Sequence, residues 1–141
     1  MKKRKVNAGL VHGYRSGLEE TVAAQIKANG ITVDYESTKI EYIVPESKHS
    51  YTPDFVLPNG IIIETKGRFV QADRKKHALI QKQRPDLDIR FVFTNSRNKL
   101  YKGSGTSYGQ WCERNRFLYA DKEIPREWFS EKGSSKSKGS S

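Results

Sequence analysis

The stretch YTPDFVLPNGIIIETK, from Tyr51 to Lys66, decides which architecture the chain can adopt. Its centre, Pro58-Asn59-Gly60, is a turn signal between two apolar segments, and this pattern predicts a hairpin. The first segment is interrupted by Pro53. The second begins apolar on both faces at Ile61 to Ile63 and ends charged, which is typical of a central strand. We therefore place this hairpin in the middle of a sheet.

The flanking sequence predicts helices around that sheet. Leu18, Val22 and Ile26 recur at helical spacing, Ser16 and Glu19 form a capping-box pattern, and Gly30 supplies a stop. The remaining predicted elements are strands at 31–35, 40–44 and 89–93 and helices at 17–29, 73–84, 108–115 and from Pro125, the last with Trp128 and Phe129 facing the core. This order indicates an α/β fold in which a central mixed β-sheet is flanked by helices.

The length of 141 residues suits one domain, which we place at 14–130. A basic, flexible arm at 1–13 precedes it, either lying along phosphates, acting as a nuclear-import-like cluster, or simply solvated. The segment 45–50 is polar and is predicted to be a connector. Residues 131–141 are rich in Gly, Ser and Lys, so we expect a disordered tail.

The charge balance favours a polyanionic partner. Lys and Arg number 26 against 16 Asp and Glu, a formal net charge of +10, and nucleic acid is the commonest partner of so basic a domain. A merely soluble basic surface is the alternative. The single cysteine, Cys112, excludes an intrachain disulfide and is predicted to be a buried apolar residue. No apolar run is long enough to span a membrane, and no secretory signal is present.

Three residues of the hairpin could carry chemistry. Across the turn, Asp54 and Glu64 can meet on one face, and two neighbouring carboxylates stay ionised only if a cation lies between them. Their hard oxygens suit Mg²⁺ or Mn²⁺. Lys66 leaves the same face of the strand as Glu64, where it could stabilise charge on a phosphate or accept a proton. The set fits hydrolysis of a phosphodiester by one or two metal ions.

Each of these residues also has an ordinary interpretation. A surface hairpin often carries Asp, Glu and Lys, although a charged pair at the end of a central strand is harder to explain by solvation alone. Glu19 is a third candidate acid, but its place in the capping box is sufficient to explain it.

The chain resembles the endonuclease I family of T-odd phages. The match runs from about Tyr14 to Trp128 and is carried, in order, by Arg15-Ser16-Gly17-Leu18-Glu19, Tyr51-Thr52-Pro53-Asp54-Phe55, Leu57-Pro58-Asn59-Gly60-Ile61, Glu64-Thr65-Lys66-Gly67, Asp73-Arg74-Lys75-Lys76-His77, Ser96-Arg97, Lys99-Leu100-Tyr101-Lys102-Gly103-Ser104, Thr106-Ser107-Tyr108-Gly109 and Ala120-Asp121-Lys122. The basic arm and the Gly-Ser-Lys tail depart from the family pattern.

The resemblance implies a four-way-junction resolvase of the PD-(D/E)xK nuclease superfamily, with a restriction-endonuclease-like fold. It implies that Asp54 and Glu64 bind the metals, that Thr65 adds its backbone carbonyl, and that Lys66 is the catalytic lysine. It also makes Glu19 a catalytic and metal-binding carboxylate, which reverses the preference for a pure helix cap. The implied cofactor is Mg²⁺, with Mn²⁺ as a substitute and two ions in each site.

The same resemblance implies an intertwined homodimer. Each active site would combine Glu19 of one chain with Asp54, Glu64 and Lys66 of the other, and the connector at 45–50 would bridge the subunits. Two sites suit a reaction that nicks two symmetric strands. The implied location is the cytoplasm of an infected bacterium.

Contacts with branched DNA should depend on phosphates and shape, since a branch point has no fixed sequence. The candidates are Arg15, Arg74, Lys75, Lys76, His77, Arg97, Lys99 and Lys102, and solvation is the alternative for each. His77 is expected to contact phosphate or to pack, and not to bind a metal. Tyr101 and Tyr108 could stack on a base, but core packing is the expectation for both.

Two rival functions stay open at this stage. One is a PD-(D/E)xK nuclease that acts on linear or mismatched duplex. The other is a non-catalytic protein that binds junctions, against which the complete set of acids and lysine argues, because carboxylates near a phosphate weaken binding unless a metal offsets them.

Overall fold

A computed structural model describes residues 17–44 and 47–132 and has an α/β fold. In chain order the elements are α1 (Gly17–Ala28), β1 (Asp34–Tyr35), β2 (Ile40–Val44), β3 (Ser47–Tyr51), β4 (Phe55–Val56), β5 (Ile62–Lys66), α2 (Gln71–Gln83), β6 (Ile89–Phe93), α3 (Tyr108–Arg114), β7 (Tyr119–Asp121) and α4 (Arg126–Ser130). The predicted fold class, a mixed sheet flanked by helices, is confirmed.

The main sheet has five strands in the order β1-β4-β5-β6-β7. The predicted hairpin forms its centre, because β4 and β5 pair antiparallel with Phe55 opposite Ile63. On the other side of β5, strand β6 runs parallel, with Glu64 opposite Phe91. Two parallel strands must be joined by a crossover connection. Helix α2 lies in the connection from β5 to β6, and helix α3 lies in the connection from β6 to β7, which is also parallel.

The two faces of the sheet bury separate apolar clusters. Successive residues of β5 alternate between them, since Ile62 joins one cluster and Ile63 the other. Helices α2 and α3 cover the first face, and helices α1 and α4 cover the second. Cys112 is buried in the first cluster, as predicted. Because β5 is covered on both sides, any charged group near its end is partly shielded from water.

Strands β2 and β3 form a separate two-stranded sheet, the β2–β3 ribbon, with Ile40 opposite Tyr51. The prediction of a polar connector at 45–50 is wrong for residues 47–50, which belong to β3. Their side chains are exposed and polar, so the strand is defined by backbone pairing and leaves no apolar alternation in the sequence. The side chain of Gln83 joins α2 to the ribbon, since it accepts from Ile43 N at 2.6 Å and donates to Ile43 O at 2.5 Å.

Several other boundaries differ from prediction. The strand expected at 31–35 is only Asp34–Tyr35. The first segment of the hairpin, at 51–57, was expected to be one strand, but the strand that pairs with β5 is only Phe55–Val56, because Pro53 has no N–H to donate to a neighbouring strand. Strand β7 was not predicted. Glu131, predicted to begin the disordered tail, instead accepts two hydrogen bonds of 2.9 Å from Arg90.

Some predictions fall outside the described residues. They concern the basic arm at 1–13, Arg15, the Ser16 cap, residues 45–46 of the predicted bridge, and residues 133–141 of the tail. Within 17–44 and 47–132, no helix is long and apolar enough to cross a membrane.

Candidate active site

The hairpin brings Asp54 and Glu64 together in the interior. Asp54 lies immediately before β4, Glu64 lies in β5, and each is only 4% exposed. The antiparallel register places them side by side, so that the backbone N–H of Asp54 donates to Glu64 Oε2 at 3.0 Å. Asp54 and Glu64 are therefore neighbours across the hairpin, as the turn signal predicts.

Thr65 fixes the orientation of the Asp54 carboxylate. Its backbone N–H and its hydroxyl both donate to Asp54 Oδ2, each at 2.9 Å. Two donors on one oxygen restrict rotation of the side chain, so Asp54 occupies a defined position next to β5.

Two aromatic residues, Tyr51 and His77, lie next to the buried Glu64 carboxylate. The hydroxyl of Tyr51 donates to Glu64 Oε2 at 2.7 Å, and His77 Nε2 lies 3.8 Å from Oε1. Burial, and then the charge of Asp54, raise the pKa of Glu64 from 4.5 to about 8, although Lys66 and the hydrogen bonds act in the opposite direction. A carboxylate in this position ionises readily only when positive charge is added beside it.

Lys66 lies at the end of β5, two residues beyond Glu64, and is half-buried. Its Nζ is 3.4 Å from Asp73 Oδ1, in the first turn of α2. The ammonium group is partly accessible to solvent and close enough to Glu64 to lower the pKa of that carboxyl, so it could meet an anionic substrate at this site.

Glu19 and a further acid, Glu36, complete an acidic cluster with Asp54. One carboxylate oxygen of each lies within 4.8 Å of the others. Glu19 projects from α1, is buried, and accepts from the Tyr35 hydroxyl at 3.3 Å. Sequence reasoning named Glu19 but missed Glu36.

Glu36 is brought to the site by the pairing of β1 with β4. Tyr35 is opposite Phe55, and the next residue, Glu36, donates its backbone N–H to the carbonyl of Asp54 at 3.2 Å. Its φ of 52° is left-handed, a conformation that turns the chain just after the strand. The only signal in the sequence was its position directly after the alternating run at 31–35, and that signal becomes useful only when the strand partner is known.

The donor set fits a hard divalent cation. Glu19, Glu36 and Asp54 present carboxylate oxygens close enough to share one ion, and the Glu64 carboxylate accepts from the Asp54 backbone N–H. Added positive charge would also relieve the unfavourable ionisation of Glu64.

The candidate DNA contacts do not form one group. Lys75, Arg97, Lys99 and Lys102 are exposed, whereas Arg74 and Lys76 are half-buried. Arg74 Nη1 donates to Phe69 O at 2.6 Å, and Lys76 Nζ lies 5.2 Å from the centre of the Tyr51 ring.

The prediction that His77 contacts DNA is wrong, because this side chain is buried and cannot reach DNA in this fold. It is 1% exposed and packs edge-on against Tyr51 and Phe91, with ring centres 5.1 and 5.0 Å away. The packing alternative holds instead, and burial lowers the pKa of the imidazole. Tyr108 is buried as expected, but Tyr101 is 63% exposed, so the expectation of core packing was wrong for it.

The fold is the predicted α/β sheet flanked by helices, and Asp54, Glu64 and Lys66 lie in its central hairpin. Comparison with known proteins gives the particular family. The sequence profile of the family described as phage endonuclease I matches residues 1–140. The chain is 56% identical over 121 residues to endonuclease I of Escherichia phage T7, covering 86% of this chain and 81% of that protein. It is 62% identical over 112 residues to endodeoxyribonuclease 1 of Enterobacteria phage T3, covering 79% of this chain and 74% of that protein. The chain belongs to the phage endonuclease I family.

Proposed function

We propose that this protein is a metal-dependent endonuclease that resolves four-way and other branched DNA junctions by paired phosphodiester hydrolysis. The observation that carries the proposal is the meeting of buried Asp54 and Glu64 on one hairpin, with Lys66 on the same strand. Two relatives at 56% and 62% identity are named as an endonuclease and an endodeoxyribonuclease.

Asp54, Glu64 and Glu19, with the backbone carbonyl of Thr65, would hold the metal, which we propose to be Mg²⁺, with Mn²⁺ able to replace it and two ions in each site. An ion bound there would lower the pKa of the attacking water and offset the charge of the phosphate. Thr65 keeps Asp54 oriented, and the ammonium of Lys66 stabilises the charge that develops on the phosphate oxygens.

The basic surface would supply the affinity for DNA. A net charge of +10 favours a polyanion, and Lys75, Arg97, Lys99 and Lys102 offer exposed cations. We propose that these residues contact phosphates, together with Arg74, Lys76 and Arg15. Since both named relatives come from phages of enteric bacteria, we place the reaction in the cytoplasm of an infected bacterium.

The decisive experiment compares a synthetic four-way junction with a linear duplex of the same arm sequence, in Mg²⁺ and then in EDTA. Paired nicks near the branch in Mg²⁺, with the duplex spared, are expected. Glu64→Ala and Lys66→Ala should each abolish cleavage and keep junction binding. Lys82→Ala is the matched control, because it removes the same charge from an exposed position near the end of α2.

The outcomes separate the rival functions. Equal cutting of junction and duplex would favour a general duplex nuclease. Tight junction binding without cutting, in Mg²⁺ and in Mn²⁺, would favour a non-catalytic junction-binding protein. Full activity of Glu64→Ala or Lys66→Ala would refute the site assignment.

We further propose an exchanged homodimer. In the single chain, Glu19 approaches Asp54 of the same chain, and residues 45–46 lie between the two segments that carry them. If two chains exchanged segments at that point, the same contact would form between subunits. The family resemblance supports this arrangement.

Co-expression of Glu19→Gln and Asp54→Asn chains tests it. Each variant alone should be inactive. In an exchanged heterodimer, the intact Glu19 of one chain meets the intact Asp54 of the other, so one active site and single-strand nicking return. If the sites were formed within one chain, the mixture would stay inactive, and light scattering would show whether two chains associate.

A further inference from the structure

Tyr51 lies where the β2–β3 ribbon meets the catalytic hairpin. It is the last residue of β3, is paired with Ile40, and is 1% exposed. Its hydroxyl donates to Glu64 Oε2 at 2.7 Å, a short bond between two buried groups.

Two residues of α2, His77 and Lys76, contact the ring of Tyr51. The imidazole of His77 meets it edge-on, with ring centres 5.1 Å apart and planes at 88°, and Lys76 Nζ stands 5.2 Å from its centre. Both neighbours come from α2, which Gln83 also fastens to the ribbon. The position of the hydroxyl is thus set by the ribbon and by a helix, independently of Glu64.

The side chain of Glu64, by contrast, has several rotatable bonds, so its carboxylate needs hydrogen bonds to hold one orientation. Its Oε2 accepts from two donors, the Tyr51 hydroxyl and the Asp54 N–H at 3.0 Å. Two donors on one oxygen restrict the movement of that oxygen and so of the carboxylate. The Asp54 N–H belongs to the hairpin itself, so Tyr51 is the donor that ties the carboxylate to the rest of the domain.

We propose that Tyr51 is a positioning residue that holds the Glu64 carboxylate in the orientation that binds the metal. This inference rests on the proposed function, because it deepens the role of the same site. Hydrogen-bond partners of metal ligands typically contribute a factor of about 10 to 100 in metal affinity. The rival explanation is that the bond only satisfies a buried carboxylate and contributes stability alone.

Tyr51→Phe removes the hydroxyl and keeps the ring contacts. Tyr119→Phe is the matched control, since the Tyr119 hydroxyl donates to Glu113 Oε2 at 2.8 Å, also from a tyrosine to a glutamate but outside the site. We would titrate each full-length protein with Mn²⁺ by calorimetry without DNA. We would also measure the Mg²⁺ concentration for half-maximal junction cleavage, at a temperature at which circular dichroism shows every variant folded.

Tyr51→Phe should bind Mn²⁺ at least about tenfold more weakly, require correspondingly more Mg²⁺, and regain most of its cleavage rate at saturating Mg²⁺. Tyr119→Phe should match the wild type. In a Glu64→Gln background, Tyr51→Phe should cause no further loss of Mn²⁺ affinity, because the residue acts through Glu64.

Wild-type Mn²⁺ affinity in Tyr51→Phe, with only a lower Tm, would overturn the inference and leave the proposed function standing. A further loss in the Glu64→Gln background would also overturn it. If the wild type neither binds Mn²⁺ nor cleaves, the proposed function fails, and the inference fails with it.

Discussion

Replacing Glu64 by glutamine should stabilise the metal-free protein while it abolishes cleavage. Burial and the nearby Asp54 raise the pKa of Glu64 from 4.5 to about 8, so ionising this carboxylate is unfavourable in the folded state. Glutamine has almost the same shape, and its carbonyl can accept from the Tyr51 hydroxyl and the Asp54 N–H as Oε2 does. The variant therefore removes the cost of a buried charge without removing its hydrogen bonds.

The sign and size of the effect follow from linkage. Because the folded-state pKa lies above the unfolded-state value, the wild type keeps its full stability below pH 4.5 and loses it progressively as the pH rises through 8. The loss is about 1.4 kcal/mol for each pH unit in that window, or about 5 kcal/mol in total. Relaxation of the site makes the actual loss smaller than this total. We therefore expect the free energy of unfolding of Glu64→Gln to exceed that of the wild type by roughly 2 to 4 kcal/mol at pH 8.5 and to be nearly equal to it at pH 4.5.

Urea denaturation followed by circular dichroism, in EDTA at a series of pH values, measures the difference. Other titrating groups cancel between the two proteins. Glu41→Gln serves as the control, because Glu41 is exposed on the ribbon in a surface ion pair with Lys48 and its replacement should change the free energy of unfolding only slightly. A difference for Glu64→Gln that stayed constant from pH 4.5 to 8.5 would refute the argument that burial holds this carboxylate protonated.

Two further predictions concern the acidic cluster and the second face of the sheet. Glu36→Gln should weaken Mn²⁺ binding by about tenfold, measured by calorimetry, since it removes one of the three clustered carboxylates, and unchanged affinity would exclude Glu36 from the metal site. Arg90→Leu should lower the free energy of unfolding by about 3 kcal/mol in urea, because buried Asp88 loses the guanidinium that donates to it, while Glu131 is partly exposed and can be solvated. A loss below about 1 kcal/mol would show that this ion-pair group is not important for stability.

The centre of the fold could be predicted because its signals are local. The hairpin from Tyr51 to Lys66 is marked by a turn signal between two apolar runs. The strand at 89–93 is marked by a short, mainly apolar run, and all five of its residues are buried in the structure. The pairing of Asp54 with Glu64 then follows from hairpin geometry alone. Helix α1 was predicted to within one residue, because its apolar residues recur at helical spacing.

The parts that failed depend on distant partners. Strand β3 has exposed polar side chains, so no alternation marks it, and its partner β2 defines it. Glu36 reaches the site only through the pairing of β1 with β4. His77 sits in a run of basic residues that looked like a surface, yet helical periodicity turns it inward beside Ile80. In each case the sequence contains the residue but not the neighbour that determines its environment.

Two groups of acids in this chain have different hydrogen-bond donors, and the contrast supports the metal proposal. On one side of the sheet, buried Asp88 and partly exposed Glu131 receive four hydrogen bonds from the guanidinium of Arg90, so a cation of the chain itself lies beside both carboxylates. At the catalytic hairpin, backbone N–H groups and hydroxyls donate to Asp54 and Glu64, and donors of this kind orient a carboxylate without adding positive charge. Lys66, the nearest cation on the strand, lies beside Asp73, and the pKa of Glu64 stays raised in spite of it. A buried carboxylate such as Glu64, whose orientation is fixed and whose ionisation is unfavourable in the metal-free protein, is suited to a cation that comes from outside the chain.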